Sequence, residues 1–109
     1  MLNGLWHLVF QVPGDHGGGA VVIDGGKALG GDAACTYIGK ITEQDGEVSG
    51  ELAIRYVNRA FPPLIPQLPN YTVVVIGRLD GKSLKLVGTL PGVPGAPEIS
   101  ITGTKHTDL

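Results

Sequence analysis

The chain is expected to be all-β, a small eight-stranded antiparallel barrel or strongly curled sandwich, with residues 1–109 forming a single domain. Three observations predict this. Apolar and polar residues alternate with period 2 along much of the chain, and no stretch keeps a helical period over several turns. Glycine (18 residues) and proline (8 residues) are spread along the chain as punctuation and do not gather into a linker, which marks many short turns. A chain of 109 residues also buries roughly two-thirds of its unfolded surface, enough for one core without covalent staples.

The first strand is predicted over residues 5–12, with Trp6, Leu8, Phe10 and Val12 on one face and His7 and Gln11 on the other. Residues 13–19, rich in glycine, read as a flexible turn. Residues 20–24 form a second strand, closed by Gly25-Gly26, and residues 27–30 a short third one. Residues 34–42 make the fourth strand. Asp45-Gly46 then supplies a hairpin dipeptide. The longest strand spans residues 47–58, with Val48, Leu52, Ile54 and Tyr56 opposite Glu47, Ser49, Glu51 and Arg55. Gly50 marks a bend that lets this strand curl. A proline-rich connection over residues 59–70 leads to a hairpin of residues 71–79 and 83–90 about Asp80-Gly81. A Gly/Pro loop and a last strand over residues 98–105 complete the set. Closure into a barrel would remove the exposed sheet edges.

Residues 71–76 break the alternation, with Val73 and Val75 on one face and Val74 and Ile76 on the other. Only 17% of the residues are charged. Both features predict a covered outer face, by the proline-rich loop or, preferably, by a second copy in a homodimer. A net charge of −2 leaves no electrostatic footprint for nucleic acid. No run approaches the ~20 apolar residues of a membrane helix, and no secretory leader is legible at Met1–Asn3. The expected location is cytoplasmic, with no membrane partner.

Candidate chemistry is sparse. Gly81-Lys82-Ser83 resembles the end of a phosphate loop, but Ile76 stands where its first glycine belongs and no helix follows. His7, His16 and His106 lack metal-ligand spacing. Cys35, the one cysteine, reads as a small buried hydrophobe before it reads as a nucleophile. In Gly30-Gly31-Asp32 the aspartate is expected to bond nearby backbone amides and hold a turn. No catalytic residue, metal or cofactor is expected, and the chain is read as a non-enzyme.

Gly4-Leu5-Trp6 at the head of the first strand resembles the N-terminal signature of lipocalins, whose tryptophan plugs the closed end of an eight-stranded barrel. A longer pattern follows: Gly26-Lys27, Gly30-Gly31-Asp32-Ala33, Tyr37, Gly39, an acidic turn over residues 43–47, Arg55-Tyr56 and Tyr71. In order and spacing it resembles the GrlR family, small negative regulators of type III secretion genes. The resemblance implies a lipocalin-like barrel, a homodimer, and regulation by protein–protein contact without DNA binding. In that family an acidic tetrad between two strands is implicated in binding a transcriptional activator. The matching positions here are Glu43, Gln44, Asp45 and Gly46, of which Glu43 and Asp45 are acidic, with Glu47 just beyond.

The leading functional expectation is therefore a GrlR-like regulatory protein. It would bind its partner through Glu43, Asp45 and Glu47, with Phe61, Leu64, Ile65 and Leu68 of the proline-rich loop as a second surface. The alternative is a lipocalin-like carrier of a small hydrophobic ligand. Its interior would be lined by Trp6, Phe10, Leu52, Ile54, Tyr56, Leu84, Leu86, Ile99 and Ile101, because an eight-stranded barrel is just wide enough to be filled or to hold one small ligand.

Overall fold

In a computed structural model of the chain, residues 2–65 and 68–109 are described. They carry eight strands: β1 (Gly4–Val12), β2 (Asp15–Asp24), β3 (Lys27–Gly31), β4 (Cys35–Gln44), β5 (Glu47–Tyr56), β6 (Asn70–Asp80), β7 (Ser83–Thr89) and β8 (Ile99–Thr107). Each strand pairs antiparallel with the next, and β8 returns to β1, so the sheet closes as an up-and-down barrel. Closure follows from the alternation: every strand has one apolar face to bury, and a sheet closed on itself buries all eight together.

The expected strands appear with shifted ends. The glycine run of residues 17–19 is part of β2, paired with Val9, Phe10 and Leu8, and is not a turn. Pro13-Gly14 alone reverses the chain, since Val12 pairs directly with Asp15 and Gly14 takes φ 82°. The glycines serve a packing purpose instead. A Cβ on Gly19 would lie 2.5 Å from Tyr37 Oη, so its bare backbone is what lets the Tyr37 ring lie across β2. At the other hairpin, Asp45 and Gly46 take φ 54° and 83°, the positive values a two-residue type I′ turn requires. Gly50 behaves as expected of a bend: a Cβ there would strike the Lys40 carbonyl of β4. β5 stops at Tyr56 because the chain then leaves the sheet. The amides of Val57 and Asn58 both donate to the Ala34 carbonyl, at 2.9 and 3.1 Å.

The two ends of the barrel differ. At the end carrying the β2–β3, β4–β5 and β6–β7 turns the interior is filled by the buried Trp6, Ile23, Ile41, Leu52, Val75 and Leu84, with an open surface recess beside Leu2, Asn3 and Gly25. Trp6 is wholly buried and its Nε1 donates to the Leu2 carbonyl at 2.8 Å. The ammonium of Lys105, itself 7% exposed, rests 5.4 Å from the indole centroid and pairs with Asp108 at 2.9 Å. That hydrogen bond and charge hold the Asp108 carboxyl below its ordinary value. The tryptophan thus plugs this end, as the Gly-x-Trp signature implied. The opposite end, bordered by residues 32–34 and 61–64, is not filled.

Candidate functional site

Three inward-facing residues set the floor of the open end. Tyr37 on β4 pairs across the ladder with Ile54 on β5, which pairs with Tyr71 on β6. Two strand spacings of ~4.8 Å each place the two phenols on either side of Ile54. Phe10 of β1 meets Tyr37 edge to face, ring centroids 5.4 Å apart at 70°. Above this floor lies a cavity of about 290 Å³ whose apolar walls include Ala34, Leu64, Val73 and Ile99 and whose rim carries Asp15, His16, Asp32, Ala33, Phe61, Pro62 and Pro63. The volume is at the small end of ligand pockets, ~300–1,000 Å³.

Asp32 organises the rim. Its Oδ1 accepts the amides of Ala34 and Cys35 at 2.8 and 2.7 Å, and its Oδ2 accepts the Tyr37 hydroxyl. The first part is the turn expected from Gly30-Gly31-Asp32. The tyrosine bond is additional, and it ties the rim to the floor. The other wall is anchored through Tyr56, whose hydroxyl donates to the Phe61 carbonyl at 2.7 Å.

Burial keeps the two phenols and the thiol of the site protonated. Burial, then the hydrogen bond to Asp32 and its charge, push the Tyr37 phenol well above its ordinary value. Burial first, with Cys35 and Asp32 adding, pushes Tyr71 up to about 12. Burial and Asp32 also push the Cys35 thiol up, so this cysteine is poorly suited to act as a thiolate nucleophile. Both phenols therefore hold their protons more tightly folded than unfolded. The stability they contribute is fully present below the ordinary phenol value of 10 and is lost as pH rises from there toward about 12. Denaturant midpoints are expected to be level from neutral pH up to that window, as far as the two phenols are concerned, and to fall within it. Tyr71→Phe should remove one late step from the phenolate absorbance titration; an unchanged titration curve would contradict this assignment.

Of the residues expected to line a ligand cavity, Phe10, Ile54 and Ile99 do so. Trp6, Leu52, Leu84, Leu86 and Ile101 do not; they are buried in the solid core. Trp6, Leu52 and Ile101 lie further from the open end than Phe10, Ile54 and Ile99 of the same strands, and alternation gives the face of a residue without its height in the barrel. Tyr56 is half-buried beside the rim, under the Arg59 guanidinium at 4.8 Å. Tyr37, Tyr71, Val73, His16 and the 32–34 turn join the site although no motif marks them as cavity residues. For the two tyrosines a signal existed, since they are among the first inward positions at their strand ends.

The acidic turn lies at the plugged end, across the barrel from the cavity. Glu43 Oε2 accepts the Gly46 amide at 2.7 Å and so holds its own turn. Glu47 faces Arg78 across the β5–β6 pair at 4.0 Å with both side chains largely exposed, a pairing worth little in water. Among the described residues no group of three His, Cys, Asp or Glu stands close enough to hold a metal ion, and no helix is long and apolar enough to cross a membrane.

The outer face carries one continuous apolar row. Leu5, Val22, Leu29, Ile38 and Ala53 are successive cross-strand partners from β1 to β5, and Ile38 is 54% exposed. A separate pair, Ile76 and Val87, crosses β6–β7. The described part of the proline-rich connection does not cover Ile76, which is 63% exposed; Pro62, Pro63 and Leu64 cover the cavity mouth instead. No protein-family model and no curated protein matches the chain.

Proposed function

We propose that the protein is a non-enzymatic binding barrel that carries or senses one small, largely apolar organic molecule, in the cytoplasm. The observation that supports this is the asymmetry of the interior: one end packed solid around Trp6, the other opening into a cavity of about 290 Å³ under a rim held by Asp32. A barrel needed only as a scaffold gains nothing from leaving this volume unfilled, because unfilled interior forfeits dispersion contacts. A neutral fluorescent dye, N-phenyl-1-naphthylamine, is expected to bind at one molecule per chain with a rise in emission, and native mass spectrometry should retain the complex. A dye signal that never saturates at that stoichiometry would reject the reading.

A second reading, a GrlR-like regulator acting as a homodimer and on a transcriptional activator, is favoured by the apolar outer row. That row crosses five strands and is flanked by charges of both signs, Asp24, Lys27, Lys40 and Glu51. Mixed charge around an apolar strip suits a second copy related by a two-fold axis. Glu43, Asp45 and Glu47 would then remain open to the activator at the plugged end. Ile38→Lys is expected to shift sedimentation from dimer to monomer while changing chain stability by no more than about 0.5 kcal/mol. A wild-type chain that sediments as a monomer at high concentration would exclude the dimer. The two readings use different surfaces and are compatible.

A further inference from the structure

Resting on the ligand-binding reading, we propose that the cavity is selective for a small organic cation, an apolar amine whose body lies on the aromatic floor and whose ammonium head lies at the acidic rim. The first ground is the aromatic count. Both phenylalanines and two of the three tyrosines of the chain, Phe10, Phe61, Tyr37 and Tyr71, line this one cavity. They come from three separate strands and a loop, so sequence proximity does not explain their convergence. Aromatic faces gathered around a pocket attract a desolvated cation through their quadrupoles.

The second ground is the sign of the lining. Two carboxylates, Asp15 and Asp32, stand in it beside the imidazole of His16, and among the described residues no lysine or arginine does. The arginines nearest in sequence are engaged elsewhere: Arg59 lies over the Tyr56 ring at 4.8 Å, and Arg55 Nη1 donates to the Ile54 and Tyr71 carbonyls at 3.0 and 3.4 Å. A fatty-acid-like anion would find no lysine or arginine here and would meet two carboxylates against one imidazole.

The third ground is the balance of hydrogen-bonding capacity. Asp32 accepts from two amides and one phenol, and a carboxylate offers about four lone-pair sites, so about one remains for a ligand N–H. Among the described residues the Tyr71 hydroxyl makes no hydrogen bond, yet it belongs to the cavity wall. Its raised pKa keeps it a neutral phenol, whose oxygen can accept from an ammonium.

The test compares octylamine, octanol and octanoate, which share a tail and differ in head, as competitors of the neutral dye at neutral pH. Octylamine is expected to displace the dye with an affinity at least about tenfold above octanoate, with octanol between them. In Asp32→Asn the ratio of octylamine to octanol affinity should fall at least about threefold. Asp15→Asn, at the other side of the rim, serves if Asp32→Asn disturbs its turn. Octanoate binding as well as or better than octylamine would overturn the proposal while leaving the ligand cavity standing. So would an amine preference that survives in both aspartate variants. Failure of the dye itself to bind would instead remove the cavity reading on which the proposal rests.

Discussion

Trp6→Ala is expected to cost about 3–5 kcal/mol, the range for deleting a fully buried aromatic side chain. Trp6 has no exposed surface. Its removal opens a void at the plugged end, leaves the Leu2 carbonyl without its indole donor, and takes away the ring beneath the Lys105 ammonium. A small domain's total stability is ~5–15 kcal/mol, so the variant should be marginal or unfolded near body temperature. With slopes of ~1–3 kcal/mol per M in urea, the unfolding midpoint should fall by about 2 M. Trp6→Phe keeps most of the packing and loses the N–H, and it should lose less than half as much. Because Trp6 lies outside the cavity lining, Trp6→Phe should bind the naphthylamine dye as the wild type does. Weakened dye binding in that variant would mean that the ligand space extends down the barrel.

Ala33→Trp is expected to abolish dye binding while leaving the fold intact. Ala33 is exposed on the short connection between β3 and β4, and its side chain stands at the cavity rim. An indole there can enter the mouth without displacing any buried group. Stability should therefore change by no more than about 1 kcal/mol, as for other surface substitutions, whereas affinity should fall by about a hundredfold or more. Ile76→Trp is the control: this residue is 63% exposed on the outside of β6 and should leave affinity unchanged. Full dye affinity in Ala33→Trp would place the ligand elsewhere and remove the proposed function.

Much of the architecture was legible in local patterns. Trp6, Leu8 and Phe10 alternate with His7 and Gln11, and that alternation assigned the faces of β1 as found. Asp45-Gly46 named its own turn, because few residue pairs adopt two successive positive φ values without strain. Gly17-Gly18-Gly19 misled for a related reason. Glycine is read as a turn signal, yet here it marks close approach, since the Tyr37 ring occupies the place where a Gly19 side chain would go. Tyr37 lies on β4, two strands away from β2 in barrel order, so no local pattern could have distinguished the two uses.

The acidic turn shows the same limit. The family resemblance singled out Glu43, Asp45 and Glu47 as surface acids, and they are exposed. Only the folded turn reveals that Glu43 is tied to the Gly46 amide. The sequence by itself determined the strand pattern, the inward faces and the barrel class, because alternation and turn chemistry are short-range properties of the chain. Tertiary structure alone decided where the filling stops and the cavity begins. Register across eight strands sets the height of each inward residue, stacking Trp6 with the large aliphatics at one end. At the other it gathers Phe10, Tyr37, Tyr71 and Asp32 around an open cavity.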